Sequence, residues 1–217
     1  MKQPLKIAMA SAIAAAILSS AAVAAPEKFV IDPNHSLAGF SIRHFFTKVT
    51  GRFKEVSGTI LYDAKDLSAS SVDVTLQTAS ITTENDRRDG DLRSPNFFDA
   101  EKNPTITFKS TKVIPGKDNA FQVEGDLNMH GVTKKVTLNA TFLGAGDTGM
   151  MGRRAGFEAT TTVNRLDYGI TWNKQVDATT KMLGDDVAIT LSIEAMVPRE
   201  GGPGGPPPPP PAGTDKK

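Results

Sequence analysis

Between Glu27 and Pro198, hydrophobic and polar residues alternate with a period of two. Phe40, Ile42 and His44 share a face opposite Ser41 and Arg43, and Val72, Val74 and Leu76 share one opposite Asp73 and Thr75. Ile106 and Phe108 lie between Thr105, Thr107 and Lys109. Phe121, Val123, Gly125, Leu127 and Met129 alternate with Gln122, Glu124, Asp126 and Asn128. Val136, Leu138, Ala140 and Phe142 form a further apolar face, then Ala155, Phe157 and Ala159, and finally Val187, Ile189, Leu191 and Ile193. Successive side chains of a strand point to opposite sides, so each run predicts an antiparallel strand with one dry and one wet face.

Gly51–Tyr62 breaks parity, because Phe53 is odd while Val56, Gly58, Ile60 and Tyr62 are even. A one-residue bulge near Glu55–Gly58 would turn all of them inward. That makes eight strands, enough to close a small up-and-down barrel, although a sandwich satisfies the same pattern. Two insertions interrupt the meander. Glu84–Phe98 predicts a helical turn plus loop, and Asn164–Asp185 a long connection holding Trp172 beside Tyr168. Long loops in compact domains are usually functional or flexible, which makes both candidates for a barrel mouth.

The two ends stand outside this pattern. Met1–Ala24 has a basic start (Lys2, Lys6), an uncharged run and a closing Ala22-Val23-Ala24, the features of a cleavable export signal. Its apolar stretch is shorter than the ~20 residues of a membrane span. The fold is therefore expected in residues 25–198, exported to the periplasm and without stable membrane insertion. Residues 199–217, with Pro206–Pro211, predict an extended, solvated tail.

Composition narrows the chemistry. The chain has 25 basic and 24 acidic residues; loss of Lys2 and Lys6 leaves 23 against 24, a net charge of −1. A nucleic-acid partner is not expected from so neutral a chain. Cysteine is absent and there are three histidines, His35, His44 and His130. Disulfides, thiolate metal sites and cysteine nucleophiles are thereby excluded. No metal site or cofactor is expected.

Three motifs invite catalytic readings and fail. Gly144–Gly149 fits G-x-G-x-x-G but joins two amphipathic strands, with no helix to receive a phosphate, so it reads as a hairpin loop. Asp32, His35 and Ser36 lie within five residues at a strand start, where an extended backbone would hold them apart. Asp86, Asp89 and Asp91 lack the order of a calcium loop and are interleaved with Arg87, Arg88 and Arg93, which predicts a helix turn laced with ion pairs. In the functional variant of that reading, an arginine at the mouth grips an anionic head group.

The ordered set of motifs resembles the YceI-like family, lipid- or polyisoprenoid-binding proteins of lipocalin-like shape. The resemblance rests on Asp32, His35-Ser36, Phe40 and His44; on Gly51, Phe53, Gly58 and Ile60; and on Ser80-Ile81 and Thr83 before Arg88-Asp89, Leu92-Arg93-Ser94 and Phe97. It continues through Pro104, Phe108, Ser110, Gly125–Leu127, Gly131–Lys134, Gly156-Phe157, Asn164-Arg165 and Asp167–Gly169. The resemblance implies an all-β, eight-stranded antiparallel, lipocalin-like barrel with a short helix and one long loop at its mouth. It also implies an apolar lumen for a prenyl or other lipid chain, a periplasmic location, dimers and no catalysis.

Parity then names the lumen: Phe40, Ile42, Phe53, Ile60, Val72, Val74, Leu76 and Ile106 on the first strands, with Phe108, Val123, Leu127, Val136, Leu138, Phe157, Ile189 and Leu191 on the rest. His44, Arg88, Arg93 and Trp172 are the mouth and head-group candidates. The leading expectation is a carrier or store for a polyisoprenoid, isoprenoid quinone or fatty-acyl amide. One alternative is an interaction module with a solid core, docking through the proline tail or a sheet edge. The other is an enzyme on a hydrophobic substrate, using His44 or the Arg88/Asp89 pair for acid–base work.

Overall fold

The computed structural model describes residues 25–177 and 180–198. The proposed export signal (1–24) and proline tail (199–217) lie outside the described residues. Eleven strands carry the fold: β1 (Glu27–Ile31), β2 (Leu37–His44), β3 (Thr47–Phe53), β4 (Val56–Tyr62), β5 (Ser71–Gln77), β6 (Ile81–Thr82), β7 (Thr105–Pro115), β8 (Ala120–Met129), β9 (Val132–Asp147), β10 (Arg153–Asn164) and β11 (Leu183–Met196). Among the described residues one α-helix, α1 (Asp86–Arg93), and four short 3-10 turns accompany them.

Eleven segments make eight barrel positions. β1 and β2 run on from one another, broken at Asp32–Ser36, and β3 and β4 are broken at Lys54–Glu55. β1 pairs with β4 while β2 pairs with β3, so the four form one long interrupted hairpin. The two-residue β6 pairs with β3 and extends the position that β5 occupies against β4. From β5 the order runs β7-β8-β9-β10-β11, all antiparallel. β11 closes the ring on β2 along Leu183–Ser192 and on β1 at Ala195–Met196. The closed eight-position barrel, with its short helix, agrees with the parity reading and excludes an open sandwich.

Two local expectations need correction. β1 was not foreseen: Phe29 and Ile31 are its only inward residues, too few to mark a period. The parity shift between Phe53 and Val56 occurs at Lys54–Glu55, and the β4–β5 register runs unbroken from Val56 through Leu61. The shift is therefore a change of partner strand just before the predicted bulge.

Glycines let two aromatic rings lie flat inside the barrel. A Cβ at Gly51 would strike the Phe40 ring, and one at Gly125 would strike the Phe108 ring and the Lys109 carbonyl. The interior side chains gather in two clusters. Phe29, Phe108, Phe121, Ala155 and Phe157 mark one end, and Phe53, Ile81, Met129, Val163 and Tyr168 the other. The outer face is polar, carrying Lys109, Lys112, Glu124, Lys135 and Glu158, and no helix among the described residues is long and apolar enough to cross a membrane.

Candidate functional site: an apolar barrel lumen

A cavity of about 740 Å³ runs along the barrel axis, within the size range of small-molecule sites. All sixteen positions assigned to the lumen by parity line it, from Phe40 and Ile42 on β2 to Ile189 and Leu191 on β11. The interior is therefore hollow, and the expectation of a solid core does not hold. Closed barrels of eight strands are at the size where side chains either fill the middle or leave room for one ligand. Here the two glycine-backed rings lie against the wall, which leaves the axis open.

The two ends differ in chemistry. At the end reached by Tyr62, the rings of Tyr62 and Phe142 stack at 4.5 Å and Phe157 meets Tyr62 edge-on at 5.6 Å. At the other end, His44, Asn85, Arg87, Arg88, Asp91 and Asn96 bring polar groups to the lining. That end is the mouth, formed by the ends of β2 and β3, α1, and residues 165–172 and Met182 of the long connection.

α1 is set over the mouth by its capping. The Asn85 side chain accepts from the Arg88 amide at 3.0 Å, satisfying one of the amides a helix start leaves open. Asp89 is 5% exposed and does not line the cavity. Its carboxylate accepts from the Thr82 hydroxyl (2.9 Å), the Thr83 amide (2.7 Å) and the Thr83 hydroxyl (2.5 Å). Burial raises its pKa, and these bonds, with the Arg93 charge, pull it below the usual carboxylate value. Threonines, not the predicted ion pairs, thus hold the Asp89 side of α1 to the barrel. Arg88 donates from Nε to the Thr83 hydroxyl (2.7 Å) and from Nη2 to the Thr83 carbonyl (3.1 Å).

The four mouth candidates separate. His44, Arg88 and Trp172 line the cavity. Arg93 does not; its Nη1 donates to the carbonyls of Ala79 (3.4 Å) and Ile81 (3.2 Å) and ties α1 down from behind. Arg87, Asn85 and Asn96 join the mouth although parity carries no signal for them, because they lie on a helix and loop. The Asp89 carboxylate faces Thr82 and Thr83, so the Arg88/Asp89 acid–base pair is not assembled at the lumen.

Arg165 was also missed as a site residue. It is 3% exposed and organises the long connection from within. Nε donates to Gly184 O (2.9 Å), Nη1 to Ile170 O (2.6 Å) and Trp172 O (2.9 Å), and Nη2 pairs with Asp185 at 3.1 Å. Burial lowers its pKa and Asp185 opposes that shift. Trp172, positioned in this way, meets the Phe97 ring at 5.2 Å and joins the connection to the segment after α1.

Away from the mouth, the turn between β1 and β2 brings Asp32 and His35 together, contrary to the expectation that extended backbone would part them. Their side chains meet at 2.9 Å, while Ser36 Oγ donates to Glu194 O, so no Ser–His contact forms. Asp32, His35 and Glu194 present ligand atoms within 4.8 Å of one another. The Arg154 guanidinium pairs with Asp32 (2.8 Å) and with Glu194, supplying the positive charge a cation would bring. The group is a structural ion-pair network. Gly144–Gly149 spans the end of β9 and leads through a single 3-10 turn (Gly149–Met151), not an α-helix, into β10, as its hairpin reading expects.

Comparison with known proteins agrees with this geometry. The model of the YceI-like domain matches residues 29–195. A UPF0312 protein of Vibrio cholerae is 39% identical over 159 residues, covering 72% of this chain and 84% of its own. Among solved structures, a Campylobacter jejuni YceI protein superposes with a TM-score of 0.60 at 29% identity, covering 69% of this chain and 85% of that one. A polyisoprenoid-binding domain from Saccharophagus degradans superposes with a TM-score of 0.58 at 17% identity, covering 80% of this chain and 99% of that one, and speaks for the fold alone. With the closed barrel, its apolar lumen and a family model spanning most of its length, the chain belongs to the YceI-like family.

Proposed function

We propose that the protein holds a long apolar chain (a polyisoprenoid, isoprenoid quinone or fatty-acyl amide) in the barrel lumen, for storage or transport in the periplasm. The observation that carries this reading is the cavity, lined mostly by apolar side chains and bringing charged side chains together at the mouth that α1 covers. Water rejects such a chain at about 0.8 kcal/mol for each CH₂ group, so a dry tube gives it a better place. Ordering the chain offsets much of that gain. The Saccharophagus domain, which shares this fold, is itself a polyisoprenoid-binding domain, so the fold accommodates ligands of the class proposed here. The reading is one of binding rather than catalysis, and the mostly apolar wall of the lumen supports it.

The test is native mass spectrometry of the protein purified from its own cellular compartment, followed by organic extraction and lipid analysis. A stoichiometric prenyl or acyl species supports the carrier and names its ligand class. An empty protein that stays empty after incubation with prenyl quinones and fatty amides overturns it.

A further inference from the structure

We propose that the β2–β3 hairpin tip is a docking device for the surface of an anionic lipid bilayer, bringing the lumen mouth to the membrane for ligand exchange. The proposal rests on the lipid-carrier reading and adds the site of transfer.

The tip is Phe45-Phe46, a two-residue loop between His44 and its partner Thr47. Phe46 is 94% exposed, an unusual position for a large aromatic side chain. Phe45 has φ 48°, a left-handed conformation that costs a bulky residue free energy and persists only where its surroundings impose it. Those surroundings are evident. The Phe45 amide donates to Met182 O (2.8 Å), its carbonyl accepts from Arg43 Nη1 (2.9 Å), and its ring meets His44 edge-on at 4.6 Å. Phe45 is thereby locked to the long connection, and Phe46 is held out in water.

Charge points to the partner. Leu37–Lys54 carries Arg43, Lys48, Arg52 and Lys54 and no acid. Arg43 and Lys48 stand directly opposite one another across the hairpin, both exposed, one on each side of the phenylalanines. Like charges so placed repel, and neither forms an ion pair among the described residues. An aromatic wedge flanked by two unpaired cations matches the boundary of an anionic bilayer, with phosphates at the charges and acyl chains at the ring. Position supplies the reason for docking: His44 and Val49, on either side of the tip, line the lumen, so a seated tip points the cavity at the lipid.

The test measures co-sedimentation of the full chain with vesicles of equal parts phosphatidylcholine and phosphatidylglycerol, beside pure phosphatidylcholine. Loading of a prenyl quinone delivered from cyclodextrin, without vesicles, is measured separately. The wild type should bind the anionic vesicles and release with salt. Phe46→Asp and Lys48→Glu should each weaken binding about tenfold or more, slow quinone transfer from vesicles, and leave cyclodextrin loading unchanged. Both side chains are exposed and outside the lumen, so folding is not at stake. Wild-type binding equal to that of both variants overturns the proposal. No vesicle binding, with a dimer that Phe46→Asp dissolves, overturns it in favour of a second copy of this chain. Failure of cyclodextrin loading in the wild type counts against the carrier reading alone, because vesicle docking is read without ligand.

Discussion

Asp32 shows how one buried charge becomes a structural rivet. At 4% exposure its carboxyl is pushed up by burial. The hydrogen bonds from Arg154, His35 and the Asn34 amide overcome this and hold its pKa at about 2. A group depressed on folding contributes stability that is full above its unfolded value, near 4, and is lost as pH falls through its folded value. Equilibrium urea unfolding should therefore show about 2 kcal/mol of stability disappearing between about pH 4 and pH 2 through this residue. Asp32→Asn should be less stable at neutral pH and should lack that share of the acid slope. An unchanged slope would mean that the Arg154–Asp32–Glu194 network does not join β1 to β10 and β11 in this way. The turn Asp32-Pro33-Asn34 is legible in the sequence, but its long-range partners are not, because Arg154 and Glu194 arrive from strands more than a hundred residues away.

Within the strands, glycine placement decides where aromatic rings can lie. Gly51 and Gly125 both carry a ring across their empty face, but their surroundings differ. The nearest atoms to a Cβ at Gly51 belong to side chains, those of Phe40 and Thr83, which can turn aside. At Gly125 it also meets the Lys109 carbonyl at 2.6 Å, part of the β7–β8 ladder. Gly125→Ala should therefore destabilise more than Gly51→Ala, by about 1–3 kcal/mol against a smaller loss, in thermal or urea unfolding. Equal losses would argue that the β7–β8 ladder yields as easily as a side chain. The long connection obeys a different rule. Its residues carry no period, so the sequence marks it only as long, and it takes Arg165, reaching the carbonyls of Ile170, Trp172 and Gly184, to set its path.

At the scale of the whole molecule, the hollow is what separates a container from a globular core. Leu76 on β5 and Leu138 on β9 both line it, with β7 and β8 between them in the ring. Leu76→Trp or Leu138→Trp should fill the axis and abolish lipid uptake, while unfolding remains cooperative. Uptake unchanged in a folded variant of either would remove that residue from the ligand's path. A tryptophan that fits an existing void avoids the strain of overpacking a dense core, which is why these variants test the cavity more directly than truncations do.

Binary alternation determined the long strands and their inward faces, and with them the sixteen lumen positions it named, because side-chain direction in a strand follows parity without reference to distant neighbours. Composition determined that no thiol or zinc-thiolate chemistry operates here. Tertiary structure decided the rest. Ring closure joined β11 to both β1 and β2, a contact between the two ends of the domain that no local pattern encodes. It also decided that the middle stays open, since whether inward side chains meet across the axis depends on barrel radius and ring orientation. The mouth came from non-strand segments, where Asn85, Arg87 and Arg165 owe their places to caps and buried hydrogen bonds. Such interactions are set by three-dimensional proximity, and a one-dimensional period does not contain them.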